Sequence, residues 1–97
     1  MITINLSFYP KEEKEAEFID FMKNLAEQSK QETGNITYNF AKDLNEEHKY
    51  TLIEHWITDS YLQNHRKTNH FAHFTNNIDK LIKKMSLTSF DAVPRQI

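Results

Sequence analysis

The first residues of the chain alternate between apolar and polar side chains. Over residues 2–8 every second residue is Ile, Leu or Phe, which predicts a strand buried on one face and ended by Pro10. From residue 11 to about residue 31 the apolar spacing becomes three and four, and glutamates crowd the beginning, as is typical of an amphipathic helix. Gly34 and Asn35 then predict the turn that stops this helix.

Two more alternating stretches predict a β-hairpin, at residues 36–42 and 48–57, joined by a short polar link. The residues predicted to share one face of their strands are Ile36, Tyr38 and Phe40, and then Tyr50, Leu52, Glu54 and Trp56. The next helical region is predicted in two pieces. Residues 58–60 offer caps for a short helix to about Arg66, and Thr68 or Asn69 caps a second helix with an apolar stripe over residues 71–82.

Alternation returns over residues 85–93, which predicts a last strand followed by a tail from about Pro94. The order β-α-β-β-α-β predicts a single α+β domain over residues 1–97, with the ferredoxin-like plan of one antiparallel sheet carrying both helical regions on one face. The residues predicted on the second face are Ile53, His55, Ile57 and Phe90. Because that face is half apolar, we expect a partner sheet to cover it in a homodimer.

Composition excludes several kinds of site. The chain has no cysteine, so it has no disulfide, zinc ribbon or thiolate nucleophile, and with Gly34 as its only glycine it has no GxGxxG or Walker A loop. No apolar run is long enough to cross a bilayer and no secretory signal is evident, so we expect a cytoplasmic protein. With a net charge of −2 and a pI near 6.2, nucleic-acid binding is not expected. Lys80, Lys83 and Lys84 are predicted to lie where a helix ends.

Three motifs in order give the chain a family resemblance. Residues 53–56 read Ile-Glu-His-Trp and resemble the strand-end Glu-x-Trp signature of the antibiotic biosynthesis monooxygenase family. Residues 65–71 resemble its His-x-x-(Ser/Thr)-x-His-Phe segment, and residues 32–38 its Glu-x-Gly-x-x-x-Tyr segment. The resemblance implies a dimeric α+β barrel with a small pocket between sheet and helices in each subunit.

The better-known members of this family oxygenate phenols or quinols with dioxygen and without flavin, haem or metal. Other branches degrade haem or isomerise a phosphorylated autoinducer sugar. The haem-degrading members use an Asn, a Trp and a His at positions that hold Leu6, His65 and Thr75 here, so haem degradation is not expected. The resemblance therefore favours the quinol-monooxygenase-like branch, an oxidoreductase that needs no cofactor.

Such chemistry needs a base near neutral pH in a dry pocket, and His65 suits that role because histidine ordinarily titrates near pH 6.5. His65 is equally consistent with a solvated helix residue. Glu54 is predicted on the helix-covered face, where a carboxylate would orient a histidine, hold a substrate hydroxyl, or form a structural ion pair with Arg66 or a lysine. These alternatives stay open at the level of sequence.

The remaining candidates for substrate binding are Tyr38, Trp56, His70, Phe71 and Phe74. The four aromatic residues would wall an aromatic pocket, although such periodicities are also typical of plain core. His70 is placed at a helix start near the pocket. His70 and His73 share a helix face, whereas His65, five residues earlier, turns away on a continuous helix and returns only if the helices break. A metal site is not expected, because no nearby carboxylate completes a ligand set.

Three functions are consistent with these residues. The first is a cofactor-independent monooxygenase acting on a small quinol or phenol. The second is an isomerase of a small phosphorylated metabolite, for which phosphate recognition would need a cationic cluster at the pocket mouth, with Arg66 and Lys67 as candidates. The third is a dimer that binds a small ligand without turning it over.

Overall fold

The computed structural model describes residues 1–95. It contains four strands, three α-helices and two 3₁₀ turns. The strands are β1 (Ile2–Pro10), β2 (Asn35–Lys42), β3 (Tyr50–Trp56) and β4 (Ile82–Asp91), the helices are α1 (Glu15–Lys30), α2 (Asp59–His65) and α3 (Asn69–Asn77), and the 3₁₀ turns are Glu12–Lys14 and Ile78–Lys80. The predicted tail begins at about Pro94, and its last two residues lie outside the described part.

The four strands form one antiparallel sheet in the order β2-β3-β1-β4. The first and third strands are therefore central and the second and fourth are edges, which is the ferredoxin-like arrangement predicted from the element order. The α+β fold class is confirmed. None of the helices within residues 1–95 combines the length and the apolar character needed to cross a bilayer.

The core lies between the sheet and the helices. The alternation in β1 is confirmed, because its inward residues Ile4, Leu6 and Phe8 are buried. Phe8 packs against Phe18 of α1, with ring centroids 5.6 Å apart. The inward face of β3 is buried along its whole length, from Tyr50 to Trp56. A carboxylate at position 54 thus lies on the same covered face as these apolar residues.

The prediction was wrong about where the last helix ends and β4 begins. The strand starts at Ile82, because β1 continues through Pro10, pairs with Ile82 and so extends the sheet. The 3₁₀ turn before it closes with Leu81, whose carbonyl accepts the Lys11 N–H at 2.9 Å. Lys83 and Lys84 consequently lie in a strand and not at a helix end.

A register shift between Asn35 and Thr37 changes the facing of Ile36. The prediction that Ile36 shares a face with Tyr38 is wrong, because the bulge turns Ile36 outward while Tyr38 remains buried. We call the face of the sheet away from the helices the open face. On it, Ile53 and Phe90 are 37% and 47% exposed, and Ile57 just past β3 is also exposed.

Candidate functional site

Two threonine caps place the histidines of the second helical region. Thr58 begins α2 by accepting the Tyr61 N–H at 3.4 Å. Thr68 begins α3 by accepting the Phe71 N–H at 3.2 Å, and its hydroxyl donates to the carbonyl of His65 at 2.7 Å. The chain therefore leaves one helix at His65 and enters the next within a few residues. This break puts side chains from two helices next to each other.

Glu32 joins the two helices, and the sequence analysis assigned it no role. It lies in the turn after α1, and its Oε2 is 2.5 Å from Nδ1 of His65 and 2.7 Å from Nε2 of His70. Gly34 lets this turn approach α2: its φ is +87°, and a Cβ there would lie 2.1 Å from Cγ of Tyr61. The only glycine in the chain thus allows the approach that brings Glu32 to His65.

One ring nitrogen of His65, Nδ1, is hydrogen-bonded to Glu32, and the other, Nε2, has no hydrogen-bond partner within residues 1–95. A carboxylate can only accept, so Glu32 fixes the proton of neutral His65 on Nδ1 and leaves the lone pair on Nε2. The side chain is 1% exposed, and Nε2 has no hydrogen-bond partner within residues 1–95. A buried nitrogen without a partner carries an energetic cost that a ligand hydroxyl would remove.

Glu54 is an ionisable group close to that free nitrogen. Its Oε1 lies 3.9 Å from Nε2 of His65 and accepts the indole N–H of Trp56 at 3.0 Å. The expected ion pair between Glu54 and Arg66 is not formed within the described residues, where no carboxylate oxygen lies within 4.0 Å of the guanidinium. Glu54 and His65 thus lie close enough for one ligand oxygen, placed to one side of the line that joins them, to contact both.

Burial shifts the pKa values of this pair in opposite directions. Loss of solvent raises the pKa of Glu54 to about 7, although the Trp56 hydrogen bond and the charge of Arg66 both oppose the rise. Burial also lowers the pKa of His65, against the opposing hydrogen bond and charge of Glu32. Near neutral pH the site therefore offers a neutral imidazole beside a carboxyl that exchanges its proton easily.

A cavity of about 220 Å³ opens beside the pair, between the sheet and helices α2 and α3. We call it the inner cavity. Its lining comprises Ile4, Leu6, Tyr38, Leu52, Glu54, Leu62, His65, Arg66, Phe71, Phe74, Thr75, Met85 and Leu87. Two larger hollows, of about 490 and 430 Å³, lie along the edge strand β2, and neither is lined by Glu54 or His65. The inner cavity is therefore the candidate site.

The inner cavity gathers most of the residues selected from the sequence. Two groups can be distinguished. Those that line it are His65, Glu54, Tyr38, Phe71 and Phe74, and those that do not are Trp56 and His70. Trp56 is fully buried beside the cavity, where it supports Glu54. His70 contacts Glu32 instead, so both residues act on the site through a neighbour.

A trio of possible metal ligands exists, contrary to the expectation from the sequence. Nitrogens of His65 and His70 and an oxygen of Glu32 lie within 4.8 Å of one another. The break between the helices brings His65 close to His70, Glu32 supplies the carboxylate that was not expected, and His73 instead packs on Phe21. Yet the 2.5 and 2.7 Å separations from Glu32 are shorter than the roughly 3.3 Å between two ligands of one tetrahedral ion. These distances are those of hydrogen bonds between Glu32 and the two histidines.

Comparison with known proteins places these residues in a family. A family model described as antibiotic biosynthesis monooxygenase matches residues 1–77. The chain belongs to the antibiotic biosynthesis monooxygenase family. The matched part contains Glu32, Glu54, His65 and His70 and ends before β4. A search of curated protein sequences found no match.

Solved structures share the fold of this family member along nearly its whole length. One from Deinococcus radiodurans, described as a candidate antibiotic biosynthesis monooxygenase, is 17% identical with a TM-score of 0.92, and the match covers 100% of this chain and 97% of that one. A similarly described protein from Nitrosomonas europaea is 17% identical with a TM-score of 0.89, covering 97% and 100%. A Bacteroides thetaiotaomicron protein of unknown function, described as a possible oxidoreductase, is 28% identical with a TM-score of 0.85, covering 92% and 94%.

Proposed function

We propose that the protein is a cofactor-independent monooxygenase that oxidises a small quinol or phenol with dioxygen. The observation that carries the proposal is the buried, unpartnered Nε2 of His65 at the wall of the inner cavity, with Nδ1 held by Glu32. Membership of a family described as monooxygenases supports it, as does the similarity to a protein described as a possible oxidoreductase.

In the proposed reaction, His65 removes the proton of a substrate hydroxyl at Nε2, and Glu32 stabilises the resulting imidazolium. The phenolate passes one electron to dioxygen, and the phenoxyl radical and superoxide combine at a ring carbon bearing hydrogen. His65 returns its proton to the peroxide. Loss of that ring hydrogen and cleavage of the O–O bond then release water, so that one oxygen atom stays as the new carbonyl of a quinone and the other leaves.

Glu54 takes the second polar role in this reaction. When protonated it donates a hydrogen bond to an oxygen lying between it and His65, and its pKa of about 7 lets it exchange that proton during turnover. The surrounding apolar side chains exclude water from the radical pair. Tyr38 also lines the cavity, and because burial raises the pKa of its hydroxyl it stays protonated.

The isomerase alternative lacks the cation cluster that it needs. Of the lysines and arginines in residues 1–95, Arg66 lines the inner cavity, whereas the neighbouring Lys67 is exposed and does not. A phosphate monoester, with nearly two negative charges, is ordinarily held by several donors together. The inner cavity therefore favours the oxygenation proposal over the phosphorylated substrate.

Oxygen uptake with a panel of hydroquinols tests the proposal. The expected result is enzyme-dependent uptake of one dioxygen per quinol, with one atom of labelled dioxygen found in the product by mass spectrometry. Since His48 lies outside the inner cavity, His48→Gln serves as the matched control for His65→Gln. Tight binding of quinols without uptake above their spontaneous oxidation would contradict the proposal and favour the ligand-binding alternative.

We further propose that the chain forms a homodimer through the open face. A monomer of 11.6 kDa ordinarily exposes about 5,800 Å², and this chain exposes 6471 Å². The excess is close to the roughly 800 Å² that each partner buries in a standard interface. Sedimentation should give twice the mass of the chain, and Ile53→Lys with Phe90→Lys should give the monomer. A wild-type monomer at micromolar concentration would contradict this.

A further inference from the structure

Arg66 is the cation at the inner cavity. It caps the C-terminus of α2 directly after His65, and it lines the cavity together with Glu54 and His65. Its charge lowers the pKa of both of these groups, and its side chain is also exposed to solvent. Within residues 1–95 its side chain has no hydrogen-bond partner and no carboxylate within 4.0 Å. A planar fork of donors is thus available to a ligand.

The rest of the lining limits the size of that ligand. Most of the lining is aliphatic or aromatic, and the volume is about 220 Å³. A cavity of about 150 Å³ suffices for benzene, so the inner cavity accommodates one ring with small substituents. The polar lining groups other than Glu54, His65 and Arg66 are the hydroxyls of Tyr38 and Thr75, and neither carries a charge.

We propose that the substrate is a single-ring hydroxyaromatic acid, with its hydroxyl on Nε2 of His65 and its carboxylate on Arg66. This rests on the proposed function for the role of the hydroxyl. One guanidinium matches one carboxylate by paired hydrogen bonds. A second negative charge on the ligand would have no cation within the described lining and would face Glu54. The carboxylate gives orientation, because it fixes which hydroxyl reaches the base.

Calorimetric titration with 2,5-dihydroxybenzoate and with its uncharged amide tests the proposal without requiring turnover. We expect the wild type to bind the acid about tenfold or more tightly than the amide, as a charged hydrogen-bonded pair would give. Arg66→Gln should remove this preference and leave affinity for the amide within about twofold. Lys67→Gln is the matched control, because Lys67 is adjacent and exposed but does not line the cavity.

Arg66→Lys is a second variant that keeps the test valid if Arg66→Gln loses its structure. It keeps the charge but loses the fork, so its preference for the acid should be intermediate between the other two proteins. Three results would overturn the proposal: no preference for the acid in the wild type, no binding of the acid at millimolar concentration, or equal weakening of acid and amide by Arg66→Gln. The last would mean that Arg66 supports the helix end or the substrate hydroxyl.

The outcome for Arg66 is separable from the outcome for oxygenation. Preferential binding of the acid through Arg66, without oxygen uptake, would leave the carboxylate site intact and refute the monooxygenase. Oxygen uptake with uncharged quinols alone, unaffected by Arg66→Gln, would support the monooxygenase and refute the carboxylate site. If both hold, Arg66→Gln should raise KM for the acid, whereas Lys67→Gln should leave it unchanged.

Discussion

The molecule contains two glutamate–histidine pairs of almost the same geometry. Nδ1 of His48 lies 2.7 Å from Glu15, and Nδ1 of His65 lies 2.5 Å from Glu32. Each carboxylate also holds a second group, the hydroxyl of Tyr50 at 2.6 Å for Glu15 and His70 at 2.7 Å for Glu32. The two pairs differ in exposure, because the side chain of His48 is 55% exposed and that of His65 is 1% exposed.

We infer from the comparison that a glutamate–histidine pair alone is not enough for the proposed chemistry. The ring of His48 is exposed to solvent and forms part of a surface contact between the β2–β3 hairpin and α1. His65 instead lines the inner cavity, and its far nitrogen has no hydrogen-bond partner among residues 1–95. What distinguishes the two pairs is a mostly apolar cavity on the other side of the His65 ring, where we propose that the substrate hydroxyl binds.

The largest expected effect separates the two histidines directly. His65→Gln removes the base, and general-base catalysis typically contributes about 10²–10⁴-fold, so oxygen uptake should fall on that scale. His48→Gln should leave the rate within about twofold. Steady-state oxygen uptake on an active quinol measures both. Equal rates for wild type and His65→Gln would assign the chemistry to Glu54 or to ionisation of the substrate itself.

The pH dependence of stability should have opposite sign in the buried and exposed carboxylates. The raised pKa of Glu54, about 7 against an ordinary 4.5, contributes roughly 3 kcal/mol that is fully present below pH 4.5 and lost as pH rises through 7. Glu54→Gln removes that loss. The free energy of unfolding of the variant, relative to that of the wild type, should therefore rise between pH 5 and 8. Denaturant titrations at several pH values measure this, and parallel curves would refute it.

Glu15 provides the counterpart. Hydrogen bonds from Tyr50 and His48 lower the pKa of Glu15, so its contribution is present above pH 4.5 and lost as pH falls through its lowered value. Glu15→Gln should therefore lose stability relative to the wild type as pH rises through this range. A change of the same sign in both glutamine variants would contradict the difference in surroundings.

The two carboxylates should also differ in their effect on turnover. Glu32→Gln removes the group that fixes the tautomer of His65, and loss of a charge-assisted hydrogen bond should lower kcat about 10–100-fold. Because Glu32 raises the pKa of His65, the pH at which activity appears should also fall. Glu15→Gln should change neither quantity. A lower rate with an unmoved pH profile would mean that Glu32 only supports the fold.

The smallest expected effect is the coupling energy between Glu15 and His48. A double-mutant cycle of Glu15→Gln and His48→Gln should give a coupling of about 0.2–1 kcal/mol, as for solvent-exposed ion pairs. The coupling should weaken in high salt. The same cycle on Glu32 and His65 should give a clearly larger value, and similar couplings in the two cycles would remove the basis of the comparison.

Local pattern was sufficient for most of the fold. Alternation predicted β1 and β3, and helical spacing with threonine caps predicted the broken second helical region. The boundary before β4 was missed because Leu81 and Ile82 continue the apolar spacing of a helix. Only their pairing partners on β1, distant in sequence, end that helix early. The outward direction of Ile36 was not predicted, because a bulge depends on how two strands pair and leaves no mark in the alternation of one strand.

The site was harder to predict than the fold. His65 and Glu54 were selected from motif and facing, and both line the inner cavity. Glu32 belongs to one of the three family motifs, but it was not predicted to contact His65. The two residues are 33 positions apart, and the spacing of neighbouring residues cannot predict a contact between such distant positions. The Glu-x-Gly segment was the available signal, since a glycine beside a carboxylate marks a close approach of backbone.

The geometry of the candidate site depends on a single position, Gly34, at which no other residue fits. Any side chain at this position meets the ring of Tyr61, so substitution forces apart the turn that carries Glu32 and the helix that carries His65. A lineage could therefore lose the proposed activity in a single step while retaining every ionisable group to which we assign it. A relative with these groups intact but a larger residue at this position would keep the family's residues without their geometry.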